Sequence, residues 1–313
     1  MNSIPFSELF STKESFPLLC QWELTCRCNL KCIMCYTDCA NTREQSAQEL
    51  STEEIFRIMD EINEAGCLEI VFTGGEPLSR QDFLEIYKHA YSSGFLITVY
   101  TNGTLITHEL ADYFMNHRPK CVEISMHGVS DRIFDGVTQV NGSLSRCKSG
   151  IKLLLERGIP ITLKTIGLTT NFDEILETKH YAKTLGTGVI WKFGQYLRND
   201  LNCTDLPYRY QIGEPELRKL MYNDTELWKA KCDELENNCQ AKQKCGGGTT
   251  KFHIDANGQL QLCSGNRIRS HDLKNSGSFK HAFYELMPYF PCPKRPGFPK
   301  NNCQNCKSKE HCL

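Results

Sequence analysis

Apolar residues recur along this chain in two rhythms, short continuous runs and helical spacings, and their alternation predicts an α/β fold. Leu18 to Leu24 reads as a short strand. After a cysteine-rich loop, Ser51 and Glu54 form a capping box, each side chain placed to satisfy the other's backbone N–H. Ile55, Ile58, Met59 and Ile62 then repeat at helical spacing until Gly66 stops the helix. Leu68 to Phe72 follows as a buried strand, and the pattern continues: helix near Gln81 to Tyr91, strand Phe95 to Tyr100, helix Thr107 to Asn116, strand Val122 to Met126. A helix Leu144 to Arg157, strand Ile161 to Ile166, helix around Asp173 to Leu185 and strand Val189 to Phe193 complete the series. Six short apolar strands, most followed by a helix, imply a parallel sheet covered by helices. Periodicity leaves open whether that sheet is doubly wound or curved into a barrel. In either case the loops after the strands gather on one face, where α/β proteins place their chemistry.

Beyond Gly194 the rhythm breaks. Residues 195–240 are mixed and polar, with a helix expected from Glu214 to Glu236. Phe252 to Ile254 and Gln259 to Leu262 flank Asp255-Ala-Asn-Gly258, a hairpin turn sequence. The stretch Pro288 to Pro299 is dense in proline, which excludes regular structure, and the tail then carries Cys303, Cys306 and Cys312. The expected organisation is an N-terminal extension (1–17), an α/β domain (18–194), a linker with a helix (195–240) and a small cysteine-bearing domain (241–313). A chain of 313 residues is long enough for one large core and such an annex.

Charge narrows the partners. The formal net charge is −1 with lysine and arginine scattered, so neither nucleic acid nor an anionic membrane is indicated. No apolar run reaches the length of a bilayer span, and Met1 to Pro17 lacks the basic start and apolar stretch of a signal peptide, so a cytoplasmic protein is expected. Eighteen cysteines then change the picture. Without a secretory signal, and in a chain that does not need disulfide staples, they point to thiolates that ligate metal.

Two motifs concentrate the chemistry at strand ends. Cys28, Cys32 and Cys35 lie just after the first strand in the spacing C-x3-C-x2-C, followed by Tyr36. Three thiolates on one short loop can hold three irons of a cubane and leave the fourth open; a zinc loop is the plainer alternative. Thr73-Gly74-Gly75-Glu76-Pro77 follows the second strand. Its glycines let backbone approach a ligand, and Glu76 with exposed backbone groups can meet a primary ammonium; an ordinary strand-to-helix turn would use Gly and Pro without requiring this pentapeptide.

Together these motifs resemble the signature of the radical S-adenosylmethionine (SAM) superfamily. The resemblance implies a partial (β/α)6 barrel, a 4Fe-4S cluster on Cys28, Cys32 and Cys35, SAM bound at its open iron, and one-electron cleavage of SAM to a 5′-deoxyadenosyl radical. It further implies SAM contacts from Tyr36, Gly74, Gly75, Glu76 and Pro77, and from Asn102, Ser125 and Lys164 at the ends of later strands. Lys164 could equally pair its ammonium with a carboxylate. His127 stands where family members often carry Asp, and no role follows for it.

The C-terminal pattern, Cys245, Gly258-x4-Cys263 and Cys303-x2-Cys306-x5-Cys312, looks like a shortened SPASM or twitch extension. That implies at least one auxiliary Fe–S cluster on Cys245, Cys263, Cys303 and Cys306, with Cys239 and Cys312 as further ligands if there are two; structural zinc remains an alternative. Enzymes with such extensions mostly modify ribosomally made peptides, so the expected function is hydrogen abstraction from a peptide or protein leading to a crosslink, epimerisation or backbone excision. The expected partners are an external flavodoxin- or ferredoxin-type electron donor and a separate leader-binding protein. A radical SAM dehydrogenase or maturase of a small molecule, and a non-catalytic zinc-binding protein, are the competing readings. Most of the other cysteines are expected to be small buried hydrophobes, with one of them open to a role as hydrogen donor.

Overall fold

The structure, a computed structural model, describes residues 15–37, 48–194, 197, 207–240 (side chains to 233), 246–267, 269–275 and 277–290. Six parallel strands form its frame: β1 (Leu19–Glu23), β2 (Glu69–Thr73), β3 (Leu96–Thr101), β4 (Cys121–Ser125), β5 (Ile161–Ile166) and β6 (Val189–Gly194). They lie side by side in sequence order, each pairing with the next. The helices between them are α1 (Thr52–Glu64), α2 (Phe83–Ser92), α3 (His108–Asn116), α4 (Asp131–Thr138), α5 (Ser143–Glu156) and α6 (Ile175–Thr184). The order matches the alternation expected from the sequence. At the start of α1 the Ser51 side chain accepts from the Glu54 N–H while the Glu54 carboxylate accepts from the Ser51 N–H, as that box requires.

Two elements depart from expectation. Helix α4 was not foreseen, because Gly136 sits in its short apolar pattern; Ser130 caps it, and it buries Ile133, Phe134 and Val137. The single helix expected over 214–236 is two, α7 (Glu214–Asn223) and α8 (Thr225–Gln240). Asp224 divides them: its backbone is extended, its Oδ1 caps α8 by accepting from the Leu227 N–H, and its carboxylate takes the Lys179 ammonium at 2.6 Å. A carboxylate with two such partners outweighs the weak propensity for one continuous helix.

The predicted hairpin is present as β7 (Lys251–Ile254) and β8 (Gln259–Gln261), joined by a short β9 (His271–Asp272). It does not stand apart: β7 pairs in parallel with β1, so all nine strands form one sheet in the order β6-β5-β4-β3-β2-β1-β7-β8-β9. Phe252 of β7 is buried against Phe279 and Phe283, and these join the same core as Trp22 and Phe72. Glu23, at the end of β1, receives both terminal nitrogens of Arg267, at 3.1 and 2.5 Å, and lies 3.5 Å from His253 of β7. Burial works to raise the Glu23 pKa, but His253 and Arg267 outweigh it and hold the carboxyl at about 2. Among the described residues no helix is long and apolar enough to cross a membrane.

Because hairpin and barrel share one sheet and one core, they are expected to unfold together. Phe252→Ala should cost about 3–5 kcal/mol and move a single denaturation transition followed by both near- and far-ultraviolet circular dichroism. A separate early transition in the variant or the parent would show that the hairpin folds independently.

Candidate active site

The chain between β1 and α1 carries Cys28, Cys32 and Cys35, and its conformation is fixed from three sides. Beneath it, the Gly75 N–H donates to the Thr25 carbonyl at 2.8 Å and the Glu76 N–H to the Arg27 carbonyl at 2.7 Å. Only glycine allows this approach at position 74: φ is +143° there, and a Cβ would lie 2.5 Å from the Thr25 carbonyl oxygen. On a second side, Asn29 donates to Thr104 Oγ1 at 2.8 Å and accepts from the Asn102 side chain at 2.9 Å. On the third, the Lys31 and Ile33 N–H groups donate to the Thr138 and Val137 carbonyls at the end of α4.

All three thiols line one cavity of about 1260 Å3 over the carboxyl ends of the strands. Gly74, Gly75, Asn102, Ser125, Lys164 and Tyr36 line it too, so most of the predicted SAM contacts converge. Small-molecule sites usually occupy roughly 300–1,000 Å3, so the space suffices for a nucleoside cofactor and part of a substrate. Burial, then the neighbouring Cys35 and Cys28, push the Cys32 thiol far up. Three thiols that oppose one another's ionisation need a cation to hold them as thiolates, and the donor set therefore fits a cluster. Among the described residues no three His, Cys, Asp or Glu side chains converge on one metal ion; a cubane asks only one thiolate per iron.

Glu76 and Pro77 are placed differently from expectation. Glu76 is 0 % exposed and does not line the cavity. Its Oε1 accepts from Thr101 Oγ1 (2.7 Å) and the Leu78 N–H (3.1 Å), and its Oε2 from the Asn102 N–H (2.7 Å). It thus straps the loop after β2 to the loop after β3. Burial lifts its pKa to about 7, against the pull of these donors. Pro77 is buried beside it.

Lys164 reaches toward Glu123 (3.4 Å), a buried carboxylate that also takes the Lys192 ammonium at 2.8 Å. Lys164 thus has a carboxylate neighbour and also faces the cavity. His127 lines the cavity while only 4 % exposed; burial and then Lys164 lower its pKa to about 4, so the ring is neutral near pH 7. Sequence reasoning missed Arg80, which donates to the Leu24 and Leu50 carbonyls and pairs with Asp82 at 2.6 Å, bracing the root of the cluster loop. Its place three residues after Pro77 was the available signal.

Of the C-terminal cysteines, Cys263 lies half-buried just beyond β8, next to Ser264, whose hydroxyl donates to Gln21 of β1. Cys245, Cys303, Cys306 and Cys312 lie outside the described residues, as does the Cys239 side chain. Cys20, Cys67 and Cys147 are buried as expected, whereas Cys26, Cys121 and Cys232 are only half-buried; burial pushes the Cys67 and Cys147 thiols up to about 12.

Comparison with known proteins places this geometry. A PqqA peptide cyclase from Bradyrhizobium diazoefficiens is 32 % identical over 96 % of this chain and 82 % of its own length. An AdoMet-dependent heme synthase from Methanosarcina barkeri is 33 % identical over 54 % of this chain, which spans about half (48 %) of that protein. In three dimensions the chain resembles Streptococcus suis SuiB bound to the precursor peptide SuiA, with a TM-score of 0.67 at 15 % identity over 87 % of this chain and 65 % of SuiB. The radical SAM superfamily profile matches residues 22–182, and with the cysteine loop and the glycine motif both lining one cavity of a parallel β/α sheet, the chain belongs to the radical SAM superfamily.

Proposed function

We propose that this protein cleaves SAM reductively and uses the resulting radical to modify a ribosomally made peptide. The observation that carries the first part is the convergence of Cys28, Cys32 and Cys35 with Gly74 and Gly75 on one cavity. The similarity to a PqqA peptide cyclase across nearly the whole chain supports the second, since the heme synthase match stops at about half. When bound, the cluster and SAM supply one-electron cleavage of the sulfonium and an adenosyl radical able to take hydrogen from an unactivated carbon.

The chain's own residues do the rest. Cys28, Cys32 and Cys35 would hold the cluster; the Gly74–Gly75 backbone, Asn102 and Ser125 would hold and orient SAM, with Tyr36 and Lys164 at the rim. Glu76 acts as a positioning residue: by tying the loop after β2 to Thr101 and Asn102 it fixes Asn102 beside Asn29 of the cluster loop. Neutral His127 keeps an added charge out of the cavity wall. An auxiliary cluster on Cys245, Cys263, Cys303 and Cys306, joined by Cys239 or Cys312 if there are two, is supported by their spacing and by the place of Cys263 next to Ser264, which bonds Gln21 of β1. A flavodoxin- or ferredoxin-type donor would supply electrons in the reducing cytoplasm, and a separate small protein would present the leader.

Cys28→Ala, Cys32→Ala or Cys35→Ala should each abolish 5′-deoxyadenosine formation after anaerobic reconstitution. The triple variant should lose about four irons per chain while keeping those of the auxiliary site. Unchanged iron content in the triple variant would refute the ligand assignment. Co-expression with a short peptide encoded beside the gene should yield a peptide lacking two hydrogens, one with altered stereochemistry, or one missing a residue-sized fragment. Deoxyadenosine formation stimulated by a metabolite and by no peptide would overturn the peptide reading.

The Glu76 strap has a pH signature. Its folded pKa of about 7 exceeds the unfolded value of 4.5, so its favourable contribution is complete below pH 4.5 and is lost as pH rises through 7. Relative to Glu76→Gln, the cluster-free wild type should lose stability over that window, by at most about 3 kcal/mol. Parallel pH–stability curves from urea titrations would show that the carboxyl does not titrate in the fold.

A further inference from the structure

Strand β6 is an edge: among the described residues it pairs with β5 alone. The cavity does not end at its inner face. Gly194 lines it from the inner side of the strand and Trp191 and Phe193 from the outer side, so the space passes around the free edge itself. The far bank is helical: Leu217, Leu220 and Met221 of α7 and Leu227 of α8 face it at helical spacing. The result is a slot with the free edge of β6 along one wall and, along the other, aliphatic side chains flanked by Lys231 and the Lys179–Glu226 ion pair, continuous with the cavity that holds Cys28, Cys32 and Cys35.

We propose that an extended segment of the substrate peptide enters this slot as an added strand on β6, its apolar residues toward the α7–α8 bank and acidic residues toward the inner face. The proposal rests on the peptide reading above and gives it a recognition mode. Unpaired strand edges bind extended chains through main-chain hydrogen bonds, with alternate side chains setting specificity. The two faces differ as that mode requires. Outward lie Trp191 and Phe193, packed with Leu217 and Leu220. Inward lie Ile190, 59 % exposed, and Lys192, which with Lys164 shares the single carboxylate of Glu123. Two ammonium groups on one carboxylate leave net positive charge beside the strand, which favours an acidic residue at alternate positions. A strand so held would deliver the following residues to the cluster end of the same cavity without crossing solvent.

The test uses reconstituted holoenzyme with SAM and a capped peptide of alternating leucine and glutamate as probe. Hydrogen exchange read by mass spectrometry should slow by on the order of tenfold across Val189–Gly194 when the probe is present. Two further probes carry N-methyl groups on every leucine or on every glutamate. In an added strand only one of these sets faces β6, so one probe should lose protection and the other keep it. The leucine–lysine counterpart should bind at least about tenfold more weakly, and Met221→Glu on the helical bank should weaken the leucine–glutamate probe to a similar degree. Absence of slowing in β6, equal loss with both methylated probes, or equal binding of the lysine peptide would overturn the proposal. These readouts need no turnover. Protection at β6 with every co-expressed peptide left unmodified would therefore refute the proposed function and leave the docking mode standing, while modification of a peptide that never protects β6 would do the reverse.

Discussion

Two backbone hydrogen bonds set the geometry on which the site depends: Gly75 N–H to the Thr25 carbonyl, and Glu76 N–H to the Arg27 carbonyl. They clamp the chain leaving β1 onto the chain leaving β2 immediately before Cys28. Asn29 and the end of α4 hold the cysteine loop from two other sides, and these two bonds register it to the glycine motif that lines the same cavity. The absence of a side chain at Gly74 makes the clamp possible, and the buried Glu76 carboxylate extends it to a third strand. A carboxyl with three donors and no exposure is costly to ionise, and that cost is accepted where it fixes loops on which the chemistry rests.

A second constraint joins the barrel to the C-terminal hairpin. Glu23 ends β1 two residues before Thr25, so the ion pair with Arg267 sits at the root of the same clamp. Arg267 also donates to the Ser264 carbonyl at 3.1 Å, and the Ser264 hydroxyl donates to Gln21 of β1 at 3.3 Å. One group of charges therefore joins Glu23 at the end of β1 to Arg267 beyond β8 and to His253 of β7. The hairpin is thereby tied to the end of β1, from which the cluster loop departs.

What the sequence disclosed follows the range of the interactions. Spacing within a few residues identified the cysteine triplet, the glycine motif and the capping box on Ser51 and Glu54, because each is made by neighbours in the chain. The six strands were legible for the same reason, as short apolar runs set between helical spacings, even though β3 and β6 bury one face more than the other. The role of Glu76 was not, since its partners Thr101 and Asn102 come from a strand 25 residues away in sequence. Nor was the parallel pairing of β7 with β1, which joins residues more than 200 positions apart and leaves no local pattern. Asp224 hid its break because an aspartate in a polar helical stretch looks ordinary until Lys179 is brought beside it.

That hidden pairing explains why the site is open at all. In a closed β/α barrel the last strand returns to pair with the first. Here the free side of β1 is taken by β7 along four residues, from Leu19–Lys251 to Trp22–Ile254, and behind it stand β8 and β9. Strand β6 therefore has no β1 to close onto. An exposed edge of six residues is a hazard for self-association, moderated by the inward Lys192 and the nearby helices α7 and α8. Keeping such an edge beside an apolar bank makes physical sense if something is meant to pair with it. The C-terminal hairpin thus does more than precede Cys263: it occupies the side of β1 on which a closed barrel would seat its last strand, and the edge of β6 that is left beside the cavity is the one on which the proposed peptide strand would pair.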